Sequence, residues 1–366
     1  MLTRAGKRKT TTTNDLLPTP ERTPNPSLPH DLILSIIARV PRSYYPYLSL
    51  VSRSFQSLLA SPELYETRSL LQRTESCLYV CLQFPTDPNP YWFTLCRSSC
   101  LVSLGSNIYK IGGHINQENL PFRSTNVSIL DCRSHTWHKA PSLLVERCLP
   151  IARAVDGKIY VVGGNEDNGL ESWDHIELFN PQTQTWHHVP KHNLTVHWGI
   201  FHKVACVEGK FHLMIGEKCV AYNEKESRWD VVEGKMLEHC IRSLTQVVSY
   251  CTVENVLYRY YCYQVGEFRW YDTKKRLWKK VKGMVGLPKL DNRCCIRLAD
   301  YGGKMAVLWD KDSSSCGVKE KTLWCMEIAL EKRGGDEIWG TVEWKDGVLP
   351  VPVERYQFVK VLAVTL

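Results

Sequence analysis

The chain has 366 residues, 43% hydrophobic and 23% charged, with a formal net charge of +8. That length allows two domains and a large core. No apolar run approaches the ~20 residues of a membrane span, and the N-terminus lacks the apolar core of a secretory signal, so neither a membrane nor a secreted protein is expected. Arg4, Lys7, Arg8 and Lys9 supply four of the positive charges. No other basic block is dense, so nucleic acid is not an expected partner.

Residues 1–26 are basic, then rich in Thr and Pro. With so little apolar surface to offset the entropy of ordering, this arm reads as disordered. Its KRK triplet reads as a solvated tail or a nuclear import patch. Residues 27–73 are helical in pattern. Leu32, Ile33, Ile36, Ile37 and Val40 form one broad apolar face. Pro29 suits a first helical turn, Asp31 complements a helix N-terminus, and Pro41 stops the helix. Leu48, Val51, Phe55, Leu58 and Leu59 make a second apolar stripe. So short a segment cannot bury both stripes internally. It either packs on the rest of the chain or offers the stripes to a partner.

Fifteen cysteines follow, without a secretory leader, which implies free thiols in a reducing compartment. Cys77, Cys81, Cys96 and Cys100 resemble paired metal ligands. In an extended strand, however, positions four apart lie about 13 Å apart, too far for one zinc ion. They read as strand cysteines. His187, His188, His192, His197 and His202 straddle Pro190 without a fixed geometry. No metal and no cofactor is expected. The Asn126 and Asn193 sequons carry no weight without secretion.

VDGKIYVVGG, at 155–164, ends a strand-like run in two glycines. The dinucleotide fingerprint needs G-x-G-x-x-G opening a helix, and neither the spacing nor a helix follows. The stretch instead recurs as LGSNIYKIGG, VEGKFHLMIG, YGGKMAVLWD and, more weakly, TVENVLYRYY. The copies are spaced by about 50 residues, a propeller period. In chain order, each of the first four is followed by a second pattern: VSILDCRSHTW, IELFNPQTQTW, CVAYNEKESRW and FRWYDTKKRLW. Asp131, Asn180, Asn223 and Asp272 precede Trp137, Trp186, Trp229 and Trp278 at one constant spacing. A strand, a polar turn and a strand make a hairpin. Each unit therefore reads as a four-stranded antiparallel blade, at about 101–141, 151–190, 203–233, 248–282 and 296–345. The four tryptophans are expected to wedge between blades. The glycines Gly112, Gly113, Gly163, Gly164 and Gly216 are expected where strands ending near a crowded axis approach other backbone closely. SCLYVCLQF and NPYWFTL, at 76–84 and 89–95, read as the middle of a further unit. RYQFVKVLAVTL, at 355–366, has no unit of its own. A ring must hide its edges, so this last strand is expected to complete the first blade, giving six.

GKIYVVGG…IELFNPQTQTW resembles the kelch repeat, and LPHDLILSIIARVP…LSLVSRSFQSLLASPELY closely resembles the F-box. The two in this order resemble the plant F-box/kelch-repeat family. That resemblance implies a small α-helical F-box domain followed by an all-β propeller over 76–366. It also implies a substrate receptor of a cullin-based ubiquitin ligase, cytoplasmic or nuclear and not itself an enzyme. Leu28, Pro29, Asp31, Leu32, Ile36, Val40, Pro41, Leu48, Val51, Ser52 and Phe55 fall on the F-box signature. They are the implied contacts with a Skp-family adaptor, and through it a cullin. Kelch enzymes need metal ligands converging on one face, and no such set can be assembled here. A scaffold that uses the ring without ubiquitination is the other reading.

The loops between second and third strands, at 114–125, 165–174 and 311–321, are longer than turns such as VDGK. They should share a face with the blade-to-blade linkers. Phe122, Arg123 and Trp173 are the expected anchors for a target protein there.

Overall fold

A computed structural model describes residues 28–83, 100–115, 121–167, 170–172, 175–192, 202–215, 218–232, 249–261, 266–288, 290, 296–315, 318–351 and 357–366. Trp173, Gly216 and the NPYWFTL segment lie outside these residues.

The N-terminal unit holds α1 (His30–Ile37), a single 3-10 turn at Arg42–Tyr44, α2 (Tyr45–Ser49), α3 (Arg53–Leu59) and α4 (Pro62–Leu70). Pro29 stands just ahead of α1 as its cap, and Asp31 lies in the first turn. Ser52 caps α3, its hydroxyl accepting from Phe55 N at 3.1 Å, and Ser61 caps α4 in the same way. The cap at Ser52 divides the predicted second stripe between two helices.

The rest of the chain is β. After β1 (Ser76–Gln83), the first blade is β2 (Cys100–Leu104), β3 (Asn107–Ile111), β6 (Val127–Asp131) and β7 (Thr136–Ala140). The short hairpin β4 (His114–Ile115) with β5 (Pro121–Phe122) sits between its second and third strands. The second is β8 (Ile151–Val155), β9 (Lys158–Val162), β12 (Ile176–Asn180) and β13 (Thr185–Val189), with β10 (Asn165–Asp167) and β11 (Leu170–Ser172) as its hairpin. The third is β14 (His202–Val207), β15 (Lys210–Ile215), β16 (Lys218–Asn223) and β17 (Arg228–Val232). The fourth is β18 (Tyr250–Val253), β19 (Val256–Tyr261), β20 (Glu267–Asp272) and β21 (Leu277–Lys280). The fifth is β22 (Arg297–Tyr301), β23 (Lys304–Ser315), β24 (Val318–Arg333) and β25 (Glu337–Val351). Last comes β26 (Gln357–Thr365), antiparallel to β1 from Ser76↔Thr365 to Gln83↔Gln357.

The described residues thus form five four-stranded blades, not the six expected, with a two-stranded β1–β26 sheet beside them. A third strand of that sheet was expected at 89–95, outside the described residues. The first strands are the innermost. β2 lies against β8, β8 against β14, β14 against β18 and β18 against β22, and β26 touches both β22 and β2. In the segment 311–321, expected as a loop, residues 311–315 and 318–321 are instead strand extensions: β23 and β24 stay paired out to Ser315↔Val318.

The local chemistry explains the repeat. First-to-second turns are two-residue hairpins, and in four of the five blades both central φ angles are positive, as at Asp156 (+47°) and Gly157 (+72°), the geometry that matches strand twist. In three of the four hairpins the constant Asp or Asn accepts the backbone N–H two residues on: Arg133 N to Asp131 at 2.9 Å, Gln182 N to Asn180 and Lys274 N to Asp272, both at 3.0 Å. This Asx turn starts the reversal that leads to the tryptophan. Trp186 Nε1 then donates to Pro141 O at 2.9 Å, and Trp229 Nε1 to Pro190 O at 2.7 Å. Each bond ties a blade to the linker leaving the blade before it. Trp278 packs among Tyr250 and Tyr271 between the third and fourth blades. Trp137 departs from the expected wedge and is 45% exposed. By the same rule its partner would fall in 84–99.

The glycine pair serves backbone approach. A Cβ on Gly113 would sit 1.7 Å from Phe122 O, and one on Gly164 would sit 2.3 Å from Cys148 O. The crowding comes from the blade's own loop and the incoming linker, rather than from the ring axis.

Candidate functional site

Helix α1 has two apolar sides. Leu34, Ile37 and Ala38 are buried, with Ile33 and Val40 packed partly behind them. Their core includes Leu58, Leu59, Leu64 and Tyr65 of α3 and α4. It also takes in Leu101, Ile108, Leu130, Cys132, Val364 and Leu366 of the propeller. The helical unit is therefore docked on the ring. At its centre the fully buried Arg68 guanidinium donates to Ala38 O (3.2 Å), Val40 O (2.9 Å), Tyr45 Oη (3.0 Å) and Glu75 Oε1 (2.5 Å). Arg42 N also reaches the Glu75 carboxylate. One ion pair thus fastens the end of α1, α4 and the entry to β1. Tyr65 Oη donates to Arg133 O in the third-to-fourth turn of the first blade, which fixes the docked face as the one carrying the tight turns.

The other side of α1 stays open. Leu28, Leu32 and Ile36, four residues apart, are 56, 51 and 52% exposed. Val51 is also exposed, as are Pro29, Asp31, Pro41 and Ser52. Val40, Leu48 and Phe55 face inward and are half-buried on the shared core. The eleven signature residues thus divide into those offered to solvent and those that hold the unit together. Tyr44, Tyr47 and Leu50 were not singled out from the sequence, yet they are among the most exposed large apolar side chains. The aromatic run YYPY, between a proline stop and a serine cap, was the signal available.

On the opposite face run the second-to-third loops and the linkers. Phe122 is 52% exposed there, and Leu144, in the neighbouring linker, is exposed as well. Thr125 O accepts Leu143 N at 2.8 Å, so the two segments lie side by side. Arg123 is half-buried with its Nε sealed from solvent. Arg147 was missed by sequence reasoning. Its completely buried guanidinium binds Glu177 Oε1 (2.8 Å), Gly163 O (2.7 Å) and His175 O (2.8 Å), while Leu144 N donates to Glu177 Oε2 (2.6 Å). A buried pair with its hydrogen bonds satisfied holds linker and blade in one geometry. It keeps this face rigid without contacting solvent.

No three potential metal ligands come together among the described residues. The buried thiols are inert: burial pushes Cys132 and Cys325 up to about 11 and Cys219 up to about 12.

A helical unit with an open apolar stripe, fastened to a kelch-type propeller whose long loops point the other way, defines the class of F-box proteins with a kelch interaction domain. Comparison with known families agrees. The F-box domain matches residues 26–67, and the family described as FKB95, Kelch-repeats domain, matches 62–349. The chain belongs to the F-box/kelch-repeat family. It is 48% identical to F-box/kelch-repeat protein At4g39570 of Arabidopsis thaliana, over 95% of this chain and 93% of that one. It is 46% identical to At4g39550 of the same name and organism, over 98% and 99%. It is 48% identical to At5g49000, over 96% and 97%.

Proposed function

We propose that the protein is the substrate receptor of a Skp–cullin–F-box ubiquitin ligase. The α1 stripe seats the Skp-family adaptor, and the loop face of the propeller holds a target protein. Ubiquitin transfer is the work of other subunits. The observation that carries this reading is the stripe of Leu28, Leu32 and Ile36, left open although the same helix buries its other side. Amphipathic helices with such a stripe dock into apolar grooves. Eight free cysteines among the described residues suit a reducing cytoplasm or nucleus. The test is Leu32→Ala with Ile36→Ala. Adaptor pull-down is expected to fall at least tenfold with the melting midpoint unchanged, and full retention of adaptor binding would overturn the assignment.

The closure of the ring belongs to the same reading. We infer that β26 is the inner strand of a sixth blade begun by β1, so that the two ends of the propeller sequence close it together. The pairing of β26 with β1 and its position against both β22 and β2 support this.

A further inference from the structure

The innermost strands line the ring axis, and the middle residue of β8 is Arg153. Along β8, Ala152 and Ala154 pack with the first blade, while Ile151 and Val155 pack with the third. Arg153 shares the side of Ile151 and Val155 and is half-buried. Its hydrogen bond among the described residues runs from Nη1 back to Ala152 O at 2.9 Å. No carboxylate of the described residues lies within ion-pair distance. The titratable groups that act on it are the thiols of Cys100 on β2 and Cys206 on β14, one strand to either side. Thiols are uncharged at neutral pH. Burial therefore lowers the pKa of Arg153 with no carboxylate to oppose it, although the group remains charged at neutral pH. The fold gives Arg147 a glutamate and gives Arg153 none, and a confined charge is rarely left without a partner.

We propose that the axial channel binds an oxyanion, the phosphate or carboxylate group of a small molecule, on the Arg153 fork. The planar guanidinium matches an oxyanion through two parallel hydrogen bonds. Low-dielectric walls strengthen that attraction relative to open water.

The test uses the full chain, with thermal unfolding and titration calorimetry in sodium phosphate and in sodium acetate, each against sodium chloride at equal ionic strength. The two salts separate phosphate from carboxylate recognition. At least one should raise the midpoint saturably, by roughly 3 °C or more at a hundredfold excess over Kd, and chloride should not. Arg153→Gln should remove the response, and Arg228→Gln, at an exposed surface arginine, should retain it. Arg153→Lys keeps the charge without the fork and should weaken binding about tenfold. This second variant decides the matter should Arg153→Gln fail to fold. A response that is absent in both salts, equal in chloride, or undiminished in the Arg153 variants overturns the proposal. None of these outcomes bears on adaptor binding, so the two readings fail independently.

Discussion

At the scale of single residues, the glycine pair shows how a familiar motif acquires its meaning. Two adjacent glycines after a strand suggested phosphate, and the repeat assigned them to the fold. The structure supplies the contact: at Gly113 there is no room for a methyl group beside Phe122 O. Gly113→Ala is therefore expected to destabilise the protein by on the order of 3 kcal/mol, since the obstructing atom is backbone and cannot turn aside. Gly105 is the control. Nothing lies within 4 Å of its Cβ position, and its φ of +58° alone sets the penalty, about 1 kcal/mol. Denaturant unfolding of the two variants checks the ranking, and an equal loss would refute the crowding argument. The Asp or Asn before each tryptophan was legible as a pattern, and its Asx bond gives the pattern a cause. Arg147 was not legible. Nothing local distinguishes an arginine that will be sealed against Glu177, thirty residues away, from one left in solvent.

At the scale of elements, the apolar face of α1 was read as one surface from Leu32 to Val40. The structure splits it. A helix in this setting has two apolar jobs, and periodicity reports only that both exist. Which side is buried depends on where Arg68 and the propeller core pull the helix. The C-terminal strand is the complementary case. Its lack of a unit was visible in the sequence, and its antiparallel pairing with β1 gives it a place. β26 covers β1 along its length, and Leu366 exchanges backbone hydrogen bonds with Glu75 at 2.6 and 2.8 Å. Removing 357–366 strips the edge of β1 and opens the core shared with the helical unit. The truncated chain is expected to lose its cooperative melting transition. A midpoint equal to that of the full chain would show that β26 is dispensable. The hairpin of β23 and β24 corrects an expectation of the same kind. KDSSSCGVKEK is polar and reads as a loop, yet pairing begun at Tyr301↔Lys304 and Met305↔Ile328 carries residues 311–315 and 318–321 along as strand.

At the scale of the whole molecule, the helical unit sits on the face of the tight turns, and the long loops lie on the other. A partner on the α1 stripe and a partner on the loops would therefore be held at opposite ends of a rigid body. Phe122→Asp with Leu144→Asp is expected to abolish target capture in affinity purification under proteasome inhibition. Both side chains are exposed, so adaptor binding and folding should be unchanged. Unchanged target recovery would move the search to the rim of the fifth blade.

The sequence by itself determined the order of the two domains, the fifty-residue period and the hairpins within each blade. These are local or repeated signals, and each is set by residues within one turn or one hairpin. Only the tertiary structure decided which side of α1 remains open, which arginines are paired and what crowds the glycines. Those outcomes depend on segments far apart in the chain meeting in one place, and no single segment encodes where its neighbours will be.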